Sequence, residues 1–485
     1  MRKTKIIATV GPATQHAEGL QALFDAGCNI IRVNMSHSSQ EDASEIIARV
    51  RRLSSHVAVM LDTRGPEVRT TEVAAPVVLK AGDPVVIRGE EGPTTAGLIR
   101  VNYRGLARVL DEDTLILLAD GQIELEVKVA EPHQLQCVVT KGGTLGSRKG
   151  VNIPGVRLPM PFISEQDASD IAFAVRQDLD FIAASFVGDA EDVLRVRRLV
   201  ERDGGDIAIV SKIESRYAVK NLAEIVAVSD GIMVARGDLG VEIPAEEVPV
   251  VQKQIIDACL AAGKPVIVAT EMLESMIQNP RPTRAETSDV ANAIFEGTDA
   301  VMLSGETSVG KYPIQAVETM SRIARIAEAE VERRQGRLPG GAHATEISEL
   351  ICKGAWLAAR ELAVKGILVP TSSGRTARRM SRYRPRAPIL ATTPDLRVAR
   401  RLAICYGVIA RPARAYGRME SMVRRSCQLM VDEGLLEPGD LVAVVAGVPV
   451  GRSGTTNLLT LQRVAALLDS RRDGEGDGDG DDRRR

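Results

Sequence analysis

Gly231-Ile232-Met233-Val234-Ala235-Arg236-Gly237-Asp238-Leu239-Gly240 sets five uncharged residues directly before an arginine and an aspartate. The run Gly231–Ala235 is too short for a helix and is apolar at successive rather than alternate positions. Such a run reads as a strand buried on both faces, the kind found in parallel sheets covered by helices. Charge then arrives at its carboxyl end, and residues with helical periodicity resume at Glu247.

The same unit recurs on both sides of this stretch. Apolar runs at Lys5–Thr9, Asn29–Val33, Val57–Leu61, Asp180–Ala184, Ile207–Ser211, Pro265–Thr270 and Asp299–Leu303 accompany Gly231–Ala235. Helical periodicity falls between them, at Glu18–Ala26, Glu41–Arg52, Glu165–Arg176, Ala190–Glu201, Arg216–Val228, Glu247–Ala262 and Arg284–Glu296. Ser164 is placed as a helix N-cap, and Gly27, Gly263 and Gly297 as left-handed C-caps. Eight strand–helix units predict an α/β fold of the (β/α)₈ TIM-barrel class.

The count closes only if residues 71–159 are set aside, leaving a barrel of residues 1–70 and 160–334. The excluded stretch has short runs at Val77–Lys80, Pro84–Arg88, Thr114–Leu118, Ile123–Val129 and Gln134–Thr140, with turn residues such as Ala119-Asp120-Gly121 between. It predicts an inserted all-β lid, a small β-barrel domain, after the third barrel strand. Gln335–Gly341 reads as a linker. Residues 342–470, with runs at Gly366–Val369, Pro388–Ala391, Val408–Ala410 and Leu441–Ala446, predict a C-terminal open α/β domain. Residues 471–485, mostly Gly, Asp and Arg, predict a disordered tail.

A formal net charge of -2 and only 3% aromatic residues argue against a nucleic-acid-binding surface. No apolar run is long enough to span a bilayer, and the run after Met1-Arg2-Lys3 is too short for a signal-peptide core. The six cysteines (Cys28, Cys137, Cys259, Cys352, Cys405 and Cys427) contain no CxxC pair, which suits a reducing, cytoplasmic setting.

Barrel enzymes place their chemistry at the carboxyl ends of the strands. Those ends carry Arg32-Val33-Asn34-Met35-Ser36-His37, Asp62-Thr63-Arg64-Gly65-Pro66-Glu67, Lys212-Ile213-Glu214, Arg236-Gly237-Asp238, Thr270-Glu271 and Ser304-Gly305-Glu306-Thr307. Singly, each has a plain alternative: Lys212 and Glu214 as a solvated strand end, Arg236-Gly237-Asp238 as a turn with Gly237 at positive φ, Asp62 as a loop cap, His37 as a surface histidine. Jointly, carboxylates, a lysine and arginines on one barrel face suit a divalent metal and a phosphorylated substrate.

With Thr4–Thr14, Leu61–Thr70, Ser211–Glu214, Gly231–Gly240, Met272–Met276 and Met302–Thr307 in this order, the chain closely resembles the pyruvate kinase family over nearly its whole length. The resemblance implies a phosphotransferase that moves the phosphoryl group of phosphoenolpyruvate to ADP, giving pyruvate and ATP. It implies Mg²⁺ or Mn²⁺ at Glu214 and Asp238, and Lys212 beside the transferring phosphoryl group and the enolate. Arg32 is then a phosphate ligand, Gly237 a substrate contact, and Thr270 part of the relay that protonates the enolate. Asn34, Arg69 and Lys149 fall to the nucleotide, assisted by His37. Asn34, Ser36, Asp62 and Thr63 supply oxygens for K⁺, and the negative Glu67, where K⁺-independent members tend to carry lysine, implies that the cation is required. The family is usually a homotetramer.

In the third domain, Thr371-Ser372-Ser373-Gly374-Arg375-Thr376 lies between a strand and a helix and reads either as a phosphate site or as an N-cap with a flexible turn. Together with Gly447–Asn457, which resembles the bacterial form of a late loop, it implies control by a phosphorylated allosteric effector. The chain departs from the family at Arg64, Ser215, Tyr217 and Glu271. Two other readings stand beside this one: a carbon–carbon-bond-forming barrel, disfavoured by the insert and third domain, and a silent metabolite sensor, disfavoured by the retained Lys212, Glu214, Asp238 and Thr270.

Overall fold

A computed structural model describes residues 1–334, 346–415, 417–449 and 455–469. The expected linker at 335–341 and tail at 471–485 lie outside the described residues, as do residues 450–454 of the late loop. The chain divides into two compact units, Ile6–Ala327 and a second made of Met1–Lys5 with the residues from Glu328 on.

Eight strands close a parallel barrel in chain order: β1 (Lys5–Thr9), β2 (Ile30–Asn34), β3 (Ala58–Asp62), β4 (Phe181–Ala184), β5 (Ala208–Ile213), β6 (Gly231–Ala235), β7 (Val266–Ala269) and β8 (Ala300–Leu303). Alternate residues such as Ile31 and Val33, Val59 and Leu61, and Ile232 and Val234 pack with the surrounding helices in one core cluster. With a period of two, the intervening residues face the barrel interior. Arg32 on β2, Asp62 on β3 and Lys212 on β5 share that inward parity. Asn34 pairs with Asp62, and Asp62 with Ala183, so the ends of β2, β3 and β4 are level. β5 runs on past the expected Ser211 to Ile213, which places Lys212 on the strand itself.

Ser164 caps its helix in a reciprocal box with Asp167. Gly263 (φ 67°) and Gly297 (φ 101°) end theirs in the left-handed conformation. The single helix expected over Arg216–Val228 is two, Arg216–Lys220 and Leu222–Val228, broken at Asn221, whose Nδ2 donates to the Gly188 carbonyl (3.0 Å). Gly237 is not a positive-φ turn residue; it lies in the first turn of a helix, Arg236–Glu242, that begins directly on β6.

Between β3 and the helix Glu165–Arg176 the chain builds a six-stranded sheet and a two-stranded pair, Val77–Leu79 with Gly143–Leu145, where a closed β-barrel was expected. Its one helical element is the three-residue turn Leu106–Arg108. Ile87, Ile99, Ile116, Leu125 and Leu135 bury a core of its own. The second unit holds a five-stranded sheet: β9 (Gly366–Pro370), β10 (Ile389–Thr393), β11 (Val408–Pro412), β12 (Leu441–Gly447) and β13 (Thr456–Arg463), ordered β11-β10-β9-β12-β13. Only β13 is antiparallel, and it adds an edge strand beyond the four expected. Among the described residues no helix is long and apolar enough to cross a membrane, and no disulfide forms.

Candidate active site

The inward residues at the ends of β2 to β5 form one hydrogen-bonded network. Arg32 donates through Nε to Asp62 Oδ2 (2.6 Å) and through Nη1 to Thr9 Oγ1 (3.0 Å). Lys212 Nζ donates to Ser185 Oγ (2.7 Å) and Asp62 Oδ1 (3.2 Å), and lies 2.8 Å from Glu214 Oε1. Ser185 Oγ in turn reaches Asp62 Oδ1 (3.1 Å) and the Thr63 carbonyl (2.7 Å). Glu214 Oε2 accepts the backbone N–H of Phe186 (2.5 Å).

Every charged member is buried. Burial opposes the ionised Asp62, but Arg32 and Lys212 outweigh it and hold the carboxyl below its usual range. Burial likewise opposes the Lys212 ammonium, and the Asp62 and Glu214 carboxylates overcome it, so the lysine is held above its ordinary value and stays charged. Glu214 is pushed up to about 7 by burial; Lys212 offsets part of this and the charge of Asp238 adds to it. Glu214 Oε1, although close to Lys212, lacks the angles of a hydrogen bond and keeps a lone pair for another cation. Among the described residues no group of three or more His, Cys, Asp or Glu side chains gathers into a metal cage. Two carboxylates with one open lone pair fit Mg²⁺ or Mn²⁺, which keep waters and substrate oxygens in their shell.

A second cluster surrounds Thr270. Its backbone is left-handed (φ 68°), as is that of Glu271 (φ 54°). Arg236 supports the pair: Nη2 donates to the Thr270 carbonyl (2.7 Å) and the Glu271 carbonyl (3.2 Å), while Nη1 is held by both Asp289 oxygens (2.8 and 2.7 Å). Thr270 Oγ1 accepts the Gly237 N–H (2.8 Å) and donates to the Ala269 carbonyl (2.5 Å), which fixes it one residue from Asp238. A Cβ added at Gly237 would lie 3.6 Å from Thr270 Oγ1, so a side chain there would cover the hydroxyl.

Above the barrel end, a cleft of roughly 540 Å³ is lined by both barrel and insert. His37, Arg69, Lys149 and Asp238 all face it; Asn34, the fourth residue expected at a nucleotide, is not among its lining residues. Asn34 Oδ1 instead accepts the Ser36 N–H (3.1 Å). Thr63 Oγ1 accepts the Ser185 N–H (3.1 Å); of the four residues expected at K⁺, Asn34 and Asp62 pair across the ends of β2 and β3, and Ser36 and Thr63 follow just beyond those ends. Glu67, read as an available negative charge, is paired with Arg69 Nε at 2.6 Å. In the second unit, Gly374 (φ 72°) starts the helix Arg375–Arg382 and donates its N–H to Thr371 Oγ1 (3.0 Å), while Thr376 Oγ1 meets Thr456 Oγ1 (2.6 Å). Ser372 and Arg375 are exposed there.

Ser185 and the positioning role of Arg236 escaped the sequence reading. The end of β4 carries no charge to flag it, and Arg236 was read as one of the strand-end charges, with a turn as the plain alternative and no partner named for it. The inward parity of Ser185 with Phe181 and Ala183 is the signal that could have found it.

Models of two domains match: "Pyruvate kinase, barrel domain" over residues 1–317 and "Pyruvate kinase, alpha/beta domain" over residues 349–462. The chain is 46% identical over 476 residues to a pyruvate kinase of Geobacillus stearothermophilus, covering 96% of this chain and 81% of that one. It is 44% identical over 478 residues to that of Clostridium acetobutylicum, covering 96% of this chain and 100% of the relative. It is 44% identical over 475 residues to that of Staphylococcus aureus, covering 96% and 81%. With both domain models matched in order and identity sustained over nearly its full length, this chain belongs to the pyruvate kinase family.

Proposed function

We propose that the network around Lys212 moves the phosphoryl group of phosphoenolpyruvate to ADP, yielding pyruvate and ATP, in the cytoplasm. The observation that carries the assignment of roles is the buried Lys212 ammonium, fixed by Ser185, Asp62 and Glu214 at the end of β5. A fixed charge in a dry site stabilises negative charge spreading over the transferring oxygens and costs no reorganisation at the moment of reaction. Arg32, anchored by Asp62, binds the phosphate. Glu214 and Asp238 would hold Mg²⁺ or Mn²⁺, which when bound neutralises phosphate and enolate oxygens. The phosphorus–oxygen bond to the enolate breaks as one to the ADP β-phosphate forms. The enolate then takes a proton at its methylene carbon through the relay that includes Thr270 Oγ1.

His37, Arg69 and Lys149 bind the nucleotide from the cleft, and the insert acts as a lid over it. Asn34, Ser36, Asp62 and Thr63 take K⁺. Thr371–Thr376 hold the phosphate of an allosteric effector, within a homotetramer.

The test is pyruvate formation from phosphoenolpyruvate and ADP with Mg²⁺ and K⁺, comparing the wild type with Lys212→Met. We expect turnover in the wild type, a fall of about 10³-fold or more in kcat for the variant, and loss of activity on chelation of the divalent ion. A wild type that binds phosphoenolpyruvate but forms no pyruvate would sink the assignment.

A further inference from the structure

We propose that Arg157 is a positioning residue that latches the strand returning from the insert onto the barrel rim, and thereby keeps the cleft receptive to a nucleotide diphosphate. The inference rests on the phosphoryl-transfer reading above.

Arg157 lies on the connection between the insert's last strand, Val151–Asn152, and the helix Glu165–Arg176. Its Nη1 donates to Asp189 Oδ2 (2.6 Å) and its Nη2 to Asp192 Oδ2 (3.1 Å). Both aspartates stand at the start of the helix Ala190–Arg202, where Asp189 is the N-cap. The guanidinium carbon sits 4.7 Å over the ring of Tyr217, on the short helix after β5. The ring packs closely on residue 188, where glycine leaves it room: a Cβ there would lie 3.0 Å from Tyr217 Cδ1. Two residues before Arg157, Gly155 lines the same cleft wall as Glu242, one turn beyond Asp238 on its helix. The returning segment is thus fastened to elements that follow β4 and β5.

The latch also sets a charge. Arg157, Asp192, Tyr217, Glu242 and Asp238 all line the cleft. The Asp192 side chain is 2% exposed; burial raises its carboxyl above the ordinary range, and Asp189 adds to this. Without the guanidinium, the Asp192 carboxyl would face a site meant for a polyanion, with Asp189 close behind it and also without its partner. The departure at Tyr217 is accounted for on this view: it supplies the aromatic face on which the latch rests.

The test uses the full chain and three readouts: half-saturating ADP, half-saturating phosphoenolpyruvate, and ADP binding by calorimetry in the presence of Mg²⁺. The contacts are partly exposed, so Arg157→Ala is expected to weaken ADP binding and raise half-saturating ADP by roughly 3- to 10-fold. Half-saturating phosphoenolpyruvate should move less than twofold. Arg157→Lys, which keeps the charge without the two-armed contact, should recover part of the loss. Tyr217→Ala should weaken ADP binding by about twofold, and the double variant should be no worse than Arg157→Ala alone. Equal shifts for both substrates, or ADP binding unchanged in a folded Arg157→Ala, would overturn the proposal. If Arg157→Ala does not fold, the Lys and Tyr217 variants decide it. A wild type that binds ADP but transfers no phosphoryl group would defeat the functional reading, while the calorimetric arms would still judge the latch.

Discussion

Arg32–Asp62 and Arg69–Glu67 are arginine–carboxylate pairs with the same Nε–O separation of 2.6 Å. The first pair has side chains 10% and 1% exposed, and the second 40% and 28%. Geometry alone would rank them equal, but solvent separates them. Where water is excluded the attraction is strong, and so is the penalty for leaving one partner alone. At the cleft rim, water screens both. The barrel end is therefore a fixed electrostatic frame, suited to charge that develops during reaction. On the nucleotide role proposed for Arg69, its guanidinium can give up Glu67 for a phosphate at little cost.

The contrast is tested most severely by Arg32→Ala. It strips Asp62 of its guanidinium partner while Lys212 and Ser185 remain, and unfolding by urea should report a loss of about 3 kcal/mol, the low end for a broken buried pair. A loss below 1 kcal/mol would mean that the two pairs are equivalent after all. Glu242 stands between the extremes, half-buried at the cleft and pushed up to about 7 by burial. Its folded value lies above its ordinary one, so the folded state holds this proton more tightly than the unfolded state. The stabilisation is full below about pH 4.5 and is lost as pH rises through 7, at most ~3 kcal/mol. Thermal midpoints between pH 4.5 and 8 should slope downward through Glu242 together with the similarly raised Glu214, and Glu242→Gln should make that slope shallower. The smallest effect belongs to Arg69→Ala, which should cost stability no more than about 1 kcal/mol. It should raise half-saturating ADP severalfold, with the difference from wild type shrinking at high salt; a salt-independent effect would place Arg69 in a drier environment than its exposure indicates.

The same division explains what could be read without coordinates. Barrel strands such as Gly231–Ala235 were legible because both faces are buried and charge begins where the strand ends. Arg32, Asp62, Lys212 and Glu214 were legible as charges at those ends, and they prove to share one network. Ser185, which joins Lys212 to Asp62, is uncharged and left no such mark. β13 went unseen because most of its residues are at least partly exposed and it lacks a clean alternation. The insert's strands Leu98–Arg100, Gly143–Leu145 and Val151–Asn152 are too short for periodicity to register. The pairing of Glu67 with Arg69 depends on side-chain direction, which the order of residues does not state.

Thr270 and Glu271 occupy consecutive left-handed backbone positions without the freedom of glycine, and a β-branched residue there costs roughly 1–3 kcal/mol. A protein engineer selecting only for heat resistance would therefore be drawn to Thr270→Gly, which relieves the backbone while Arg236 can still hold both carbonyls. The winner of such a selection would lose the hydroxyl that accepts the Gly237 N–H beside Asp238. Any thermostabilisation campaign on this barrel needs a turnover assay at every round, because at residue 270 the mutation that relieves the backbone also removes the hydroxyl proposed for the proton relay.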